Sequence, residues 1–385
     1  MANVLTNLAA DIYKAADIVG REVVGFIPAV TINAGTQAAA QGDTVRAAFT
    51  RSATVNTSVT PSMTIPEGDD QTVDNKTVVL DQIARVSIPW TGEDVKHVNN
   101  GAGYETIYGD QIAQAMRGIV NSIEASIATE VSQNASRAVG TAGTTPFGSN
   151  HNIVNEARQI IVDNGMPFND GNLSLVMNTS AGTNFRNLSN LYKVNEAGTA
   201  SLLRQGTLMD ISGIMMRESA QIASHTKGTA TGFDAAGGEP AGESTIAVDG
   251  SDSGTILAGD VVTWAGDTNK YVINSTTASG AAAGNIVIGA PGLQEILADT
   301  VEGTIGNTYA ANALFHRSCI ELAMRPLEKP AGGDAAVDEM IVQDPHSGLV
   351  FRLSVYKGYN KSMIDITVLY KAKVWKSDGV ALVLG

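Results

Sequence analysis

A long stretch with helical periodicity, Tyr104 to Arg137, constrains the fold of this chain more than any other feature of its sequence. A helix over this range would be about 50 Å long, at a rise of 1.5 Å per residue. Small residues occupy much of its remaining surface, so the pattern predicts a helix along a broad, thin domain rather than a compact enzyme core. One apolar stripe recurs every three or four residues, formed by Ile112, Met116, Ile119, Val120, Ile123, Ile127 and Val131.

A long β-hairpin is predicted before this helix, from Asp43 to Pro89, because apolar residues alternate along both of its arms. Between the arms lies Pro66–Asn75 (PEGDDQTVDN), which is acidic and lacks large apolar side chains, so we expect an exposed tip. A solvated turn is favoured over a calcium loop, because the spacing does not match the alternate-position ligand pattern of a known loop. The four carboxylates of this tip are Glu67, Asp69, Asp70 and Asp74.

The remaining segments predict an α+β body. Residues 4–25 read as a short amphipathic helix, and residues 153–161 as a second helix ending at Asn164–Gly165. A strand at Leu173–Met177 precedes a third helix that Thr179 or Ser180 caps and that runs to Leu191. Alternation in Gly206–Ile222, with a turn at Ser212–Gly213, predicts further β structure.

A Gly, Ala and Thr-rich linker from Ser224 introduces a run of short β segments that ends near residue 309. Helical spacing resumes at Ala310–Met324, and residues 349–384 read as strands with a hairpin turn near Lys357–Asn360. The β run therefore reads as an insertion into a larger domain. The predicted units are an N-terminal arm (1–42), the hairpin (43–94), a first body segment (95–225), the inserted all-β domain (226–309) and a second body segment (310–385).

Charge and cysteine content limit the function classes. Lysine and arginine number 25 against 39 aspartates and glutamates, a net charge of −14, which argues against broad phosphate binding. Cys319 is the single cysteine, so no intramolecular disulfide forms and a reducing cytoplasm suits the chain. The N-terminus does not resemble a signal peptide and no run of about 18 apolar residues occurs, so neither secretion nor membrane insertion is expected.

No motif points to catalysis or to a cofactor. The five histidines are scattered without metal-ligand spacing, and phosphate-binding loops and nucleophile elbows are absent from the sequence. His316 and Cys319 are three residues apart on the predicted helix and would share a face. A Cys/His nucleophile is conceivable there, and a half-buried helix face is the simpler interpretation. We predict no enzyme activity, no cofactor and no metal.

The order of these segments resembles the major capsid proteins of tailed bacteriophages, which have the Hong Kong 97 fold. The resemblance rests on the polar-tipped hairpin ending at Ile88–Asp94 (IPWTGED), the long helix, the α+β block through Gly206–Ile222 and the closing strands. The most specific piece is Ala313–Leu327 (ALFHRSCIELAMRPL), which resembles a helix of the family. Ile256–Ile273 resembles part of the β-barrel inserted into the gene-five coat proteins of short-tailed phages.

This resemblance implies an α+β Hong Kong 97-like capsid fold, with a long spine helix, an extended E-loop hairpin, a central axial domain and a small inserted all-β domain. It implies that the carboxylates at the E-loop tip, Glu67, Asp69, Asp70 and Asp74, reach a neighbouring subunit. It implies a coat protein that self-assembles in the host bacterial cytoplasm into the pentamers and hexamers of an icosahedral virion head. Implied partners are other copies of the chain, a scaffolding protein, a portal and packaged double-stranded DNA as a non-specific neighbour, with no membrane. Some family members cross-link covalently, but no motif places that trio on Lys76, Asn360 or Glu93.

Two other functions remain open from the sequence. An encapsulin-like compartment shell would share the fold and enclose an enzyme instead of a genome. A secreted or surface-layer β-rich structural protein fits the richness in Gly, Thr and Ser, and the absence of a signal sequence opposes it.

Overall fold

The computed structural model describes residues 6–50, 60–65, 73–99, 104–193, 206, 208, 210–250, 254–278, 283–344 and 346–385. Helices and strands are both present, which confirms an α+β fold. The helices are α1 (Thr6–Glu22), α2 (Gly92–Asn99), α3 (Tyr104–Gln133), α4 (Asn152–Asp163), α5 (Thr179–Arg186) and α6 (Ser189–Tyr192), with short 3-10 turns at Ile27–Ala29, Arg317–Cys319 and Ser377–Gly379. Among the described residues, none of the helices combines the length and hydropathy that crossing a bilayer requires.

The strands follow in chain order. They are β1 (Thr31–Ala34), β2 (Thr44–Thr50), β3 (Val73–Val79), β4 (Gln82–Thr91), β5 (Arg137–Gly140), β6 (Leu173–Met177), β7 (Met215–Glu218), β8 (Ser224–His225), β9 (Phe233–Ala235), β10 (Thr245–Gly250), β11 (Val261–Trp264), β12 (Tyr271–Thr276), β13 (Gly284–Ile288), β14 (Glu302–Ile305), β15 (Tyr309–His316), β16 (Ile320–Arg325), β17 (Ala336–Gln343), β18 (Val350–Gly358), β19 (Lys361–Val374) and β20 (Val380–Leu384).

A six-stranded sheet is built around β19, in the order β1-β16-β19-β18-β17, with β4 also paired to β19. The β4 pairing is antiparallel and runs from Thr91 opposite Lys361 to Gln82 opposite Tyr370. Helix α3 packs on both β4 and β19. This arrangement places the long helix along one sheet, as its single apolar stripe predicts.

A second sheet of twelve strands continues from the body into residues 226–309. Its order is β11-β14-β9-β10-β13-β12-β5-β20-β15-β6-β7, with β8 beside β15. The strand pairing that joins the two regions is short, because β12 and β5 share one register pair, Tyr271 opposite Arg137. Residues 230–305 also form a hydrophobic cluster of their own, which includes Phe233, Val262, Trp264, Tyr271, Ile273 and Ile286.

The stripe predicted for the long helix is confirmed. Ile112, Met116, Ile119, Ile123 and Ile127 are at most 1% exposed and belong to the main core. The helix ends at Gln133 rather than at Arg137, because residues 137–140 form β5 and pair in parallel with β20. Hydrogen bonds to a strand more than 240 residues away thus end the helix before its sequence pattern does.

The helix predicted at Ala310–Met324 is wrong. This segment forms β15, a short turn and β16, so the chain crosses there from the twelve-stranded sheet to the six-stranded one. Every residue of β15 is buried, because β20 and β6 flank it and other layers cover both of its faces. A short apolar run that is buried on both faces has no strand-like alternation, and its pattern does not distinguish a helix from a strand.

Three predicted elements of the α+β block are confirmed, one with a different cap. Helix α4 ends before Gly165, whose φ of +81° fits a left-handed cap, and β6 spans the predicted strand. The cap of α5 is Asn178 rather than Thr179 or Ser180, since its side chain accepts the N–H of Ala181 at 2.9 Å. The predicted third helix is divided into α5 and α6.

The predicted turns in the β regions are also observed. Ser212 and Gly213 have positive φ angles of 54° and 76°, inside a bridge between Ile211 and Ile214. The closing hairpin turns between Gly358 and Lys361, where Asn360 has a φ of 53°.

The projecting hairpin is shorter than the predicted span of 43–89. β2 and β3 pair from Thr44 opposite Val79 to Thr50 opposite Val73 and form a separate two-stranded sheet. β4 leaves this hairpin and joins β19, because its alternate apolar residues pack under α3. The alternating residues Val55 and Val59 lie outside the described part of the chain.

Candidate interaction surfaces

The base of the projecting hairpin is fixed to the six-stranded sheet. Val78 and Leu80 are buried in a small cluster with Ala323 and Leu369. Beside this cluster, Lys371 Nζ forms an ion pair with Asp81 Oδ2 at 2.9 Å. The paired strands therefore extend from an anchored base.

The acidic tip predicted from the sequence is described at one position. Asp74 lies in β3 with its backbone opposite Phe49 of β2. Glu67, Asp69 and Asp70 lie outside the described residues. The role of these four carboxylates in contacts between subunits therefore stays a prediction.

A short apolar segment near the tip is fully exposed. Met63 and Ile65 have relative exposures of 104% and 93%, and every residue from 60 to 65 is exposed. Removing such a side chain from water stabilises a contact by about 1.5–3 kcal/mol. The sequence interpretation did not single out these two residues, although they are the large apolar side chains in a run of Thr, Pro and Ser.

An open groove of about 870 Å³ lies between β4, α2 and the first half of α3. Trp90 forms part of its lining and donates its indole N–H to Gln111 Oε1 at 3.0 Å. Ala115 and Gly118 leave space on the helix side, since neither side chain extends far toward the sheet. The apolar part of the lining on β4 is Val86, Ile88, Pro89 and Trp90.

The turn between β18 and β19 carries an exposed aromatic side chain. Tyr359 is 102% exposed, and the exposed residues Lys357 and Lys361 lie on either side of it. Tyrosine is one of the residue types enriched among the side chains that contribute most to protein interfaces. Like the groove and the apolar segment, this turn is a surface suited to contacts rather than to chemistry.

His316 and Cys319, for which a nucleophilic pair was conceivable and a half-buried helix face was the simpler interpretation, lie at a strand end and in a turn. His316 ends β15 and Cys319 closes the turn that follows, so they share no helix face. Cys319 is buried against Gly379, where a Cβ would lie 2.2 Å from its sulfur. Burial raises the pKa of the Cys319 thiol to about 12, so the thiol is protonated at neutral pH.

His316 is instead part of a polar turn. Its Nε2 lies 2.8 Å from Asp170 Oδ2, and its Nδ1 accepts the backbone N–H of Ser318 at 3.3 Å. The Ser318 hydroxyl oxygen also lies 2.8 Å from Nδ1. Because Nδ1 accepts the backbone N–H of Ser318, the imidazole ring of His316 stabilises the turn at residues 317–319. Hydrogen bonds from Asn172 and then from His316 lower the pKa of Asp170.

Within the described ranges, no group of three His, Cys, Asp or Glu side chains is placed to hold a metal ion. No family model matches the sequence, and no curated protein matches it.

The fold, by contrast, has clear relatives among solved structures. The chain is similar to a chain of the "Capsid structure of the Cyanophage P-SCSP1u", with a TM-score of 0.50 and 9% sequence identity. The aligned region covers 94% of this chain and 88% of that one. The chain has an α+β capsid fold. At this identity the likeness concerns the fold alone.

Two further structures align over most of their length with lower scores. A chain described as "Mycobacterium phage Che8" has a TM-score of 0.45 and 14% identity, covering 89% of this chain and 84% of that one. A virus-like particle from Pyrococcus furiosus has a TM-score of 0.44 and 6% identity, with coverages of 97% and 98%.

Proposed function

We propose that this chain is the major capsid protein of a tailed bacteriophage. The observation that carries the proposal is the fold shared with the cyanophage capsid structure over 94% of the chain. The order of the hairpin, the long helix, the α+β block and the closing strands is also that of the tailed-phage capsid family, whereas residues 313–325 are strands and a turn instead of the helix that the resemblance implied. In this proposal α3 is the spine helix, and the β2–β3 hairpin is the extended E-loop.

The inserted domain is part of the same proposal. Residues 226–309 consist of strands and turns in their described part, and they bury a hydrophobic cluster separate from the main core. Their sheet continues into the body through β12 and β5, which would hold such a domain at a defined angle. We assign this unit to an accessory domain on the shell subunit.

A shell subunit works through surface complementarity, and the surfaces described above suit that role. An anchored hairpin with an exposed apolar segment, an apolar groove and an exposed aromatic turn each offer a contact for another copy. Weak contacts that are repeated over many subunits give a stable closed shell through avidity, while each step stays reversible. Pentamers and hexamers of this chain are the proposed units.

The net charge of −14 fits an inner wall that does not hold DNA tightly. Double-stranded DNA would then be a non-specific neighbour, which a packaging motor moves into the head. We place the protein in the virion, after assembly in the host bacterial cytoplasm with a scaffolding protein and a portal. No enzyme activity is assigned.

Particle formation tests the proposal. Purified chain, alone and with a scaffolding protein, should sediment as large species and appear by negative-stain microscopy as hollow particles hundreds of ångströms across. A protein that stays monomeric under every assembly condition contradicts the shell function. The contents of particles from infected or native cells separate the two shell functions, because a phage head encloses DNA and a compartment shell encloses an enzyme.

A further inference from the structure

Helix α1 packs on α3. Among the side chains described on it, which are those of residues 13–20 and 22, those of Ala15, Ala16 and Val19 are buried. Two ion pairs hold its outer side, Glu22 with Arg117 at 2.6 Å and Asp17 with His346 at 3.0 Å. Both pairs are partly exposed, so water and salt compete with them.

The chain after α1 is held much more firmly. Phe26, Ile27 and Val30 are completely buried, and the Phe26 ring stacks on Phe315 with ring centres 5.8 Å apart. Residues 26–30 are therefore an anchor in the main core. Residues 23–25 connect this anchor to α1, and Val24 among them is 58% exposed. They link α1, whose two described ion pairs are partly exposed, to this buried anchor.

Glu124 of α3 lies at this link. Its two carboxylate oxygens accept one backbone N–H each, from Phe26 at 2.9 Å and from Ile27 at 3.0 Å. Ser219 adds a longer hydrogen bond at 3.4 Å. Glu124 is 5% exposed, on the buried side of a helix whose other described core positions are apolar apart from Ser132. Burying a carboxylate costs free energy unless its oxygens accept hydrogen bonds. These hydrogen bonds therefore stabilise the closed arrangement, in which α1 and residues 23–25 cover Glu124.

Gly25 shows how closely the link follows the carboxylate. A Cβ at this position would lie 2.8 Å from Glu124 Oε2 and 2.9 Å from the Ser219 side chain. A cleft of about 350 Å³ opens beside the link and reaches Glu124 between Val19, Val23 and Val120. A small outward movement of α1 would therefore let water reach the carboxylate.

We propose that α1 is a detachable strap hinged at residues 23–25, and that Glu124 controls it: its oxygens hold the hinge closed, while its negative charge favours opening. The closed strap keeps the carboxylate out of water, and the open strap hydrates it. The device operates within one subunit, whatever the chain assembles into. It would uncover the middle of α3 without unfolding the sheets.

The charges around the cleft set the direction of its response to pH. Burial raises the pKa of the Glu124 carboxyl, while hydrogen bonds from Ile27, Phe26 and Ser219 and the charge of Arg217 oppose the shift. The Glu22–Arg117 pair lines the cleft, as does Glu218, which pairs with Arg186. Because the closed state binds a proton on Glu124 more tightly than the hydrated open state, lowering the pH toward 4.5 favours closure.

Hydrogen exchange on the unassembled full chain tests this control. In a His346→Gln background, which removes the histidine that pairs with Asp17 of α1, amides of residues 6–22 should be better protected at pH 5.0 than at pH 7.5, after correction for intrinsic rates. Adding Glu124→Gln should abolish that difference. The same pH dependence with and without the carboxylate would overturn the proposal.

A second variant tests the holding role. Glu124→Ala should lower protection of residues 6–22 at least tenfold and leave β15 and β20 unchanged, because the two N–H groups lose both acceptors. Glu22→Gln on the same helix is the matched control and should change protection less than threefold. If Glu124→Ala lowers protection in β15 and β20 as much as in residues 6–22, Glu124 is an ordinary core residue and the proposal that α1 detaches is wrong. If Glu124→Ala does not fold, the comparison of pH 5.0 with pH 7.5 still decides.

Discussion

Lys76 Nζ lies 5.9 Å from the centre of the Trp375 ring, and this contact joins the projecting hairpin to the end of β19. Trp375 is held in turn by its indole N–H, which donates to Glu321 Oε2 at 2.7 Å. The hairpin is thus connected to the sheet by a cation over an aromatic face as well as by the small apolar cluster at Val78 and Leu80. The direction in which the hairpin projects depends on both contacts.

Replacing Lys76 with Met should loosen the hairpin base without unfolding the body. A cation–π contact at a partly exposed site contributes about 0.5–1 kcal/mol, so amide protection in β2 and β3 should fall by roughly two- to fivefold. Hydrogen exchange on the unassembled chain measures it. Lys361→Met, at an exposed turn position, is the matched control, and an equal effect of both variants would show that the Trp375 contact contributes nothing.

Replacing Glu67, Asp69, Asp70 and Asp74 together with Gln or Asn should slow assembly or give malformed particles. Exposed charge pairs between subunits contribute only about 0.2–1 kcal/mol each, and they weaken with salt because the Debye length is roughly 8 Å at physiological ionic strength. The circular dichroism and melting of the unassembled subunit should not change. Light scattering at several salt concentrations measures the rate, and a normal rate and salt response in the variant would mean that the tip is only a solvated loop.

Replacing Met63 and Ile65 with Ser should raise the protein concentration needed for assembly. If either side chain is buried between subunits, its loss costs about 1.5–3 kcal/mol per contact, which is roughly tenfold or more in a dissociation constant. Ile296→Ser is the matched control, since Ile296 is 79% exposed in the all-β unit. Equal assembly of the two variants would show that residues 60–65 make no contact in the particle.

The fragment 226–309 should fold alone, because its strands pair mostly with one another and bury their own cluster. The fragment 226–309 lacks His225, whose Nε2 lies 2.9 Å from Oδ1 of the buried Asp260. A fragment 224–309, which keeps this contact, should therefore be more stable than the fragment 226–309. Amide proton spectra and thermal melts compare them. Poor dispersion in both fragments, under conditions that keep the full chain folded, would contradict an independent domain.

The stability of the subunit should fall as the pH rises above about 9 because of Cys319. Its pKa moves from the ordinary value of 9.0 to about 12 in the fold, so the unfolded chain loses its thiol proton first and unfolding is favoured. Urea unfolding at pH 8 and pH 10 measures the slope. Cys319→Ala should remove this part of the pH dependence, and an unchanged slope would show that the thiol is not the cause.

Patterns within one segment were enough to predict much of the fold. The stripe of α3, the cap of α4 at Gly165, the buried strand β6 and the turns at Ser212–Gly213 and near Asn360 follow from periodicity and from the backbone freedom of single residues. These features depend on neighbours a few residues away, so the sequence determines them directly. The all-β character of residues 226–309 follows for the same reason.

Tertiary structure decided the elements whose partners are distant in the chain. Residues 309–325 became two strands because β20, β6, β1 and β19 offered pairing on both sides, and β4 left its own hairpin to pair with β19. The candidate surfaces depend on the same choices, since the groove exists only where β4 meets α3. Glu124 accepts the backbone N–H of Phe26, which is 98 residues away in the sequence. No local pattern could therefore reveal that this charged residue of α3 binds the backbone of the buried segment 26–30.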